Sequence, residues 1–259
     1  MKISLCINDV RDLPKVKALG YDAYEFAGGK LGAYTEEEFE AHRRIHEEVG
    51  LPLVGINVYS FGEPAAVGPR FDPEKVLAYG RRTGGRAAIL GSPALGIGMA
   101  GARRVPEGYD RAKAEEEFAQ FVKITADVAK ELGMNVLIEA LQPHMCNLLT
   151  STAEAAQWTR ACGIDNSGMV LDFYHAKMND EDLAESYRLC RDLVKHVHIS
   201  TAEGLLKRGY PTEEDLAEYQ AIGAMLAEDG YDGYVSLEPD AFDEEAARVS
   251  LAMLRKALG

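Results

Sequence analysis

The sequence predicts a single (β/α)8 barrel over residues 1–259, and three observations support this fold class. A helical stretch, a glycine and a short apolar run rich in β-formers follow one another repeatedly along the chain. These runs give eight strands with a helical stretch after each, which is the number of units that such a barrel needs. No linker or low-complexity segment divides the chain, so we expect one domain.

Glycines and capping residues mark the turns between these units. Thr35 with Glu38 and Ser151 with Glu154 fit capping boxes, and Asp72 precedes a proline, so each pattern predicts the start of a helix. Six glycines stand where a helix end needs a residue with positive φ before the chain turns into a strand. These glycines are Gly20, Gly50, Gly91, Gly133, Gly163 and Gly230.

The predicted strands are short, and some read as nearly continuous apolar sequence, such as VLIEA and MVLDF. That pattern is typical of parallel strands that are buried on both faces. A doubly wound open sheet uses the same units, but it more often carries a glycine-rich phosphate turn after its first strand, where this chain has NDVRDLP. The predicted strands span roughly residues 2–8, 22–26, 52–59, 93–98, 135–140, 168–172, 194–200 and 233–238.

The composition indicates an acidic globular protein. With 28 Lys and Arg against 42 Asp and Glu, the formal net charge is −14, which argues against nucleic acid or an anionic membrane as partner. The opening MKISLCINDV is too short an apolar run for a signal peptide, and no later run reaches the about 18 apolar residues of a membrane span. The four cysteines lie far apart without a CxxC pair, so neither a disulfide framework nor a structural zinc site is predicted. We therefore expect a soluble protein of the reducing cytoplasm.

Polar side chains end four consecutive predicted strands, the fifth to the eighth. In a (β/α)8 barrel the functional residues lie at the C-terminal ends of the strands, where neighbouring strands bring such groups together. A charged side chain buried there must be paired, bound to a metal or titrated, because burying it alone is costly. A strand-end salt bridge or cap explains any one of these residues as well as function does, but it explains the whole set poorly. They are Glu139, Asp172, His198 and Glu238.

This set of side chains favours a metal site. One imidazole and three carboxylates without a thiolate suit a hard or borderline divalent ion, with Mn²⁺ as the expected ion and Mg²⁺ or Co²⁺ as alternatives. The three carboxylates carry three negative charges and a divalent ion carries two positive charges, so the site remains anionic. A carboxylate that contacts both metal and substrate can therefore take a proton from carbon. The sequence thus predicts one divalent ion held by these four residues.

The same residues resemble the xylose-isomerase-like barrels, a family of sugar isomerases and epimerases that includes ketose 3-epimerases, hydroxypyruvate isomerase and inosose dehydratase. The resemblance covers nearly the whole chain. It rests on a Glu, an Asp three residues before a His, an H-x-H strand and a last Glu. The matching residues are Glu139, Asp172 with His175, His198 in HVH, and Glu238 after GYDGYVSL. The resemblance implies that they hold one divalent metal and the substrate.

The resemblance also bears on residues around this set. It implies that His175 contacts a substrate hydroxyl and that Arg208, in LKRGYP, contacts substrate oxygens, although a capping histidine and a solvated arginine are the alternatives. Many epimerases and hydroxypyruvate isomerases carry a further glutamate where this chain has Met145, so that contact with substrate is not carried over. For Glu25 we expect a strand-end salt bridge, and for His196 a hydrogen-bonded position deeper in the barrel.

The function expected from this set is that of a metal-dependent isomerase or epimerase of a small polyhydroxy carbonyl compound. The metal would bind two adjacent substrate oxygens and stabilise the enediolate left by loss of a proton, with Glu139 and Glu238 as base and acid. A lyase such as an inosose dehydratase uses the same intermediate and stays open. An abasic-site endonuclease needs more histidines than the chain offers, and a non-catalytic sugar-binding barrel is the remaining alternative. Whether the protein forms a homo-oligomer is left open.

The substrate is expected to be unphosphorylated. Barrels often bind phosphate with the loops after their last two strands, where backbone N–H groups approach the anion. The loop after the eighth predicted strand, EPDAFDEEA, lacks glycine and carries several carboxylates, although Lys207 and Arg208 follow the seventh strand and offset part of that charge.

Two further motifs are interpreted as structural. GIGMAG, from Gly96 to Gly101, matches G-x-G-x-x-G, but Pro106 interrupts the helix that would hold a pyrophosphate, so we expect a loop that lets the backbone approach the substrate. His42 and His46 are four residues apart in HRRIH, which lacks the glutamate of HExxH. A solvated helix face is the interpretation of that pair.

Overall fold

The computed structural model describes residues 1–204 and 206–259, in which strands and helices alternate. The strands are β1 (Lys2–Ile7), β2 (Ala23–Ala27), β3 (Leu53–Asn57), β4 (Ala94–Ile97), β5 (Asn135–Glu139), β6 (Ser167–Asp172), β7 (Val194–Ile199), β8 (Thr201–Ala202), β9 (Arg208–Gly209) and β10 (Tyr234–Leu237). The α-helices are α1 (Leu13–Leu19), α2 (Gly28–Ala33), α3 (Glu36–Val49), α4 (Pro73–Ile89), α5 (Ala100–Arg103), α6 (Arg111–Glu131), α7 (Thr152–Ala161), α8 (Phe173–Met178), α9 (Leu183–Cys190), α10 (Leu216–Glu228) and α11 (Glu244–Leu258). Short 3-10 helices span Val10–Asp12 and Glu213–Asp215.

Eight of the strands form one closed barrel, which confirms the predicted (β/α)8 fold. Their order around the barrel is β1, β10, β7, β6, β5, β4, β3 and β2, and each pair is parallel. Every residue of β2, β3 and β4 is buried, as expected for parallel strands covered on both faces. The strand bounds agree with the predicted ones to within two residues at each end. Of the helices within the described residues, none combines the length and apolarity that crossing a membrane requires.

The turn residues behave largely as their chemistry predicts. All six predicted glycines have positive φ, between 63° and 95°, a conformation that glycine adopts without a steric cost. Thr35 and Glu38 form the predicted capping box at α3, and Asp72 caps α4 through its side chain. At α7 only half of the predicted box forms: Ser151 accepts from Glu154 N, but the Glu154 side chain accepts from the preceding residue, Thr150.

A small two-stranded sheet that the sequence did not indicate follows β7. It pairs β8 with β9 in antiparallel register, Thr201 opposite Gly209 and Ala202 opposite Arg208. The strands are two residues long, which is too short for a recognisable alternation of polar and apolar positions. This hairpin carries Arg208 to the mouth of the barrel.

The prediction of a solvated helix face is wrong for His42. Its side chain is 1% exposed and its ring packs edge-on against Phe26, with ring centroids 4.6 Å apart. Neither ring nitrogen of His42 has a hydrogen-bond partner within the described residues. Burial lowers the pKa of His42 from 6.5 to about 4. His46, one turn later, is half-buried and hydrogen-bonded to the hydroxyl of Tyr24 at 2.9 Å.

Replacing His42 by Leu is expected to make the protein more resistant to acid. Because the folded-state pKa lies below the unfolded one, the unfolded chain takes up the proton first, and stability falls as the pH drops from 6.5 towards 4. Between pH 7 and pH 5 the wild type should therefore lose about 2 kcal/mol that H42L retains. Urea unfolding at both pH values measures this, with H144Q at an exposed histidine as the control. Equal losses in H42L and wild type would contradict the prediction.

Candidate metal and active site

The structure brings the four predicted strand-end residues together at the C-terminal mouth of the barrel. Glu139 and Asp172 are the last residues of β5 and β6, His198 lies in β7, and Glu238 follows β10 directly. The register pairs Asp172 with His198 on adjacent strands. One ligand atom from each of the four side chains lies within 4.8 Å of the others. Parallel strands that end at one rim therefore produce the cluster that the sequence predicts.

His198 stands at the centre of this cluster. Its Nδ1 lies 3.2 Å from Glu238 Oε2 and 3.6 Å from Glu139 Oε1. Neither His198 Nδ1 nor Glu238 Oε2 makes a hydrogen bond within the described residues, although both atoms are buried. Buried polar atoms are nearly always satisfied, so the unpartnered His198 Nδ1, which faces two carboxylates, is a suitable ligand atom for a cation.

Asp172 connects the cluster to the helix that follows β6. Its Oδ1 accepts from the backbone N–H groups of Tyr174 at 2.7 Å and His175 at 3.3 Å, which caps α8. Its Oδ2 forms an ion pair with Arg208, whose guanidinium also lies 4.3 Å from the centre of the Tyr174 ring. Arg208 further contacts Glu238 Oε2 at 3.2 Å. The predicted substrate arginine is thus held against two of the candidate ligands.

His175 lies beside this arginine and is buried. Arg208 Nη2 donates to His175 Nε2 at 2.9 Å, which leaves the proton of the neutral ring on Nδ1. That Nδ1 is buried and has no hydrogen-bond partner in the described part of the chain. Burial lowers the pKa of His175 to about 4. The ring is therefore neutral near pH 7 and offers one free N–H donor.

The charges of the cluster differ from one carboxylate to the next. Burial raises the pKa of Glu139 to about 7, although the nearby His198 imidazole opposes this shift. Burial acts in the same direction on Asp172 and Glu238, but the Arg208 guanidinium and the neighbouring histidines more than offset it. The pKa values of Asp172 and Glu238 therefore lie below their usual range.

The pKa of His198 is raised well above its usual value. Burial opposes this shift, but the carboxylates of Glu25 and Glu238 outweigh it. A histidine that binds a metal ion must give up the proton of the ligating nitrogen. A bound cation would thus replace a proton in this cluster.

A cavity of about 190 Å³ opens above the cluster. It is smaller than the roughly 300–1,000 Å³ pockets that hold drug-sized ligands, so it suits a small molecule. Gly98, in the glycine-rich GIGMAG segment, lies on its wall, where a Cβ atom would stand 1.7 Å from Glu139 Oε2. Glycine is thus needed there for space. The cavity is lined by Asn8, Val58, Gly98, Glu139, Leu141, Met145, His175, Arg208, Glu238, Pro239 and Asp240.

The sequence interpretation missed Asn57, the last residue of β3. Its side-chain amide donates to Glu238 Oε1 at 3.1 Å and so fixes the orientation of that carboxylate. A polar residue ending the apolar run LVGIN could have indicated this role. His196 follows its prediction, because it is buried and hydrogen-bonds Ser236 at 2.8 Å. The strand-end salt bridge expected for Glu25 is wrong: Glu25 is the middle residue of β2, and its buried carboxylate contacts His196 and His198 inside the barrel.

The donor set fits a divalent cation. Three carboxylates and one imidazole are the oxygen and nitrogen ligands that Mn²⁺, Mg²⁺ or Co²⁺ accept. His198 Nδ1 is buried and has no hydrogen-bond partner within the described residues, so its lone pair can bind a cation. The buried cluster can therefore hold a metal ion.

Comparisons with known proteins agree with this architecture. A model of the xylose isomerase-like TIM barrel family matches residues 13–257. The chain belongs to this family. Members of the xylose isomerase-like family include sugar isomerases and epimerases, so the resemblance drawn from the strand-end residues is confirmed.

Individual relatives in this family match over most of their length. The chain is 26% identical over 251 residues to 3-dehydro-D-guloside 4-epimerase of Escherichia coli K12, covering 93% of this chain and 91% of that protein. It is 24% identical over 233 residues to D-psicose 3-epimerase of Agrobacterium fabrum C58, covering 88% and 78%. A crystal structure of D-psicose 3-epimerase in the presence of D-fructose superposes with a TM-score of 0.82 at 22% identity, covering 100% of both chains. That structure supports the fold.

Proposed function

We propose that this protein is a divalent-metal-dependent isomerase or epimerase of a small, unphosphorylated polyhydroxy carbonyl compound. The observation that carries the proposal is the convergence of Glu139, Asp172, His198 and Glu238 within 4.8 Å, next to a small cavity that two of them, Glu139 and Glu238, line. The sequence relatives, which are sugar epimerases and isomerases, support this reaction class.

These four residues would hold the metal ion, with Mn²⁺ as the proposed ion. Bound there, the cation would polarise a substrate carbonyl and so make the adjacent C–H bond more acidic. The protein itself supplies the anionic ligands, the burial that excludes bulk water and the fixed geometry of four strand ends. Rigid strand ends keep a base at a constant distance from the substrate carbon.

Glu139 and Glu238 would transfer the proton. Both line the cavity, and they approach the same nitrogen of His198 from two separate strands, so each can face a different side of a planar intermediate. One carboxylate removes the proton next to the carbonyl and leaves an enediolate. Return of a proton to the opposite face gives an epimer, and return to the neighbouring carbon gives an isomer.

His175 and Arg208 would orient the substrate. His175 and Arg208 both line the cavity, and the buried Nδ1–H of His175, which has no partner within the described residues, would donate to a substrate hydroxyl or carbonyl oxygen that reaches it. Leu141 and Met145 add apolar surface to the cavity wall. Such a cavity suits a small ligand that carries both hydroxyl groups and C–H surface.

Turnover in D₂O tests the reaction class. Protein loaded with Mn²⁺ is incubated with a panel of free ketoses and inososes, and the products are analysed by NMR and mass spectrometry. We expect an epimer or isomer with deuterium on the carbon next to the carbonyl, and no such product from metal-stripped protein. Product with a new double bond and lost water would identify a lyase instead. Binding without any turnover of the panel would contradict the proposed activity.

Free sugars are expected to be preferred over their phosphate esters. Asp240 lines the cavity, and the two cations that follow the seventh predicted strand are already paired with carboxylates, Lys207 with Glu203 at 2.7 Å and Arg208 with Asp172. A phosphate group would therefore meet uncompensated negative charge. Values of kcat/KM for each sugar and its ester measure the preference. A consistent preference of tenfold or more for the esters, about 1.4 kcal/mol in transition-state binding, would contradict this prediction.

A further inference from the structure

Glu25 is a carboxylate buried inside the barrel, below the proposed metal site. It lies on β2, is 2% exposed and reaches across the barrel interior to β7, although β1 and β10 separate the two strands around the wall. Gly55, on the neighbouring β3, leaves room for it, since a Cβ atom there would lie 3.1 Å from Glu25 Oε2. The proposed reaction assigns no role to the Glu25 carboxylate.

The contacts of Glu25 lead directly to the candidate ligand His198. Its two carboxylate oxygens lie 3.1 and 3.2 Å from His198 Nε2. The other ring nitrogen, Nδ1, faces Glu139 and Glu238 and is the atom that lacks a hydrogen-bond partner. The imidazole thus has one side towards the candidate ligands and the other towards a buried acceptor.

A neutral imidazole has a single N–H group, and the choice of nitrogen decides which one can bind a cation. An acceptor at Nε2 keeps the proton there and leaves the Nδ1 lone pair free to face the cluster. Carboxylates that hold metal-binding histidines in this way also make the ligating nitrogen more basic, and their loss typically costs 10–100-fold in metal affinity.

His196 also contacts the Glu25 carboxylate. Its Nε2 contacts the Glu25 carboxylate and lies 2.8 Å from the Ser236 hydroxyl, so the Glu25 side chain is held by both histidines of β7. The His196 and His198 rings stand nearly perpendicular, at 88°, with centroids 5.2 Å apart. Because β7 alternates its side chains, both rings point into the barrel and towards the same carboxylate.

We propose that Glu25 is a positioning residue that fixes the His198 proton on Nε2 and thereby directs Nδ1 to the metal ion. This inference rests on the proposed function, because it presumes that His198 is a ligand. A purely structural role for Glu25 would affect folding but leave the metal affinity of the folded protein unchanged.

The variant E25Q tests the inference with two readouts. Calorimetric titration with Mn²⁺ is expected to show affinity about 10–100-fold below that of wild type. ¹⁵N NMR of histidine-labelled, Mg²⁺-loaded protein should show His198 with a protonated Nε2 and an unprotonated, metal-bound Nδ1 in wild type. At the same Mg²⁺ concentration E25Q should show a smaller metal-bound fraction, and its metal-free His198 rings should be divided between the two tautomers. The matched control is E117Q, the same change at a glutamate that hydrogen-bonds Gly68 N and Tyr109 away from the cluster. E117Q should bind Mn²⁺ as wild type does.

The outcomes separate this inference from the proposed function. If wild type binds Mn²⁺ and E25Q binds it equally well with the same His198 tautomer, the positioning role is overturned and the metal site stands. If wild type binds no divalent ion, the metal site is overturned and this role with it. E25D, whose shorter carboxylate keeps the charge, should fall between wild type and E25L in affinity, and a folded E25L with wild-type affinity would also overturn the role.

Discussion

Asp172→Ala and His198→Ala are expected to lose stoichiometric Mn²⁺ while the barrel remains folded. Each substitution removes one of four donors that lie within 4.8 Å of one another, so each should cost more than the about 10–100-fold in affinity that outer partners contribute. Removal of Asp172 also leaves the backbone N–H groups of Tyr174 and His175 without their cap, at about 1 kcal/mol of stability. Metal analysis after dialysis and calorimetric titration measure the loss, and circular dichroism checks the fold.

Asp240→Asn is the matched control for the metal measurement. Asp240 lines the same cavity, but it lies outside the four-residue cluster, and an asparagine can still accept from Arg208 N as the aspartate does at 3.1 Å. The control should therefore bind one Mn²⁺ per chain. Stoichiometric metal in both D172A and H198A would mean that the ion, if any, binds elsewhere.

The barrel could be predicted because its pattern is local and repeated. The pattern, a glycine with positive φ at a helix end followed by a short apolar run, involves only residues that are neighbours in the sequence. It occurs at Gly20, Gly50 and Gly133. The clustering of Asp172 and His198 also followed from the fold class, because parallel strands of a barrel all end at one rim. Neither inference required knowledge of side-chain contacts.

Contacts that depend on how side chains pack across the barrel could not be predicted from the sequence. Glu25 reaches His198 over a sequence separation of 173 residues, and nothing near Glu25 in the chain indicates that partner. Asn57 and Glu238 are 181 residues apart. Such pairs are set by strand tilt and side-chain length, which periodicity does not encode.

His42 shows the opposite failure, since a local pattern gave a wrong answer. The stretch EEEFEAHRRIHEE is highly charged, and its composition indicates a solvated helix. Yet α3 turns one narrow face to the barrel, and Phe39 and His42 occupy it. Residues three apart share a helix face, so the polar residue His42 is carried into the core beside its apolar neighbour.

Substitution of the two glutamates of the cluster is expected to have the second large effect, a loss of turnover. Glu139 and Glu238 line one cavity, yet their surroundings differ: Asn57 and Arg208 hold Glu238, while burial raises the pKa of Glu139. Two carboxylates in different environments are suited to exchange the roles of acid and base during one turnover. A reaction that uses both carboxylates for proton transfer should be strongly slowed when either one is replaced by a neutral amide.

Glu139→Gln and Glu238→Gln are each expected to lower kcat for epimerisation by about 10²–10⁴-fold at saturating Mn²⁺, because each removes one proton-transferring group. Glutamine keeps the size of the side chain and an oxygen donor, and metal content is measured for each variant so that loss of the ion is not mistaken for loss of the base. The more informative readout is solvent exchange without turnover. In D₂O each variant should retain exchange of the substrate proton with only one of the two epimers, and the two variants should select opposite epimers. Two results would show that Glu139 and Glu238 do not share the proton transfer: epimerisation by either variant at the wild-type rate, or exchange of the substrate proton with the same epimer in both variants.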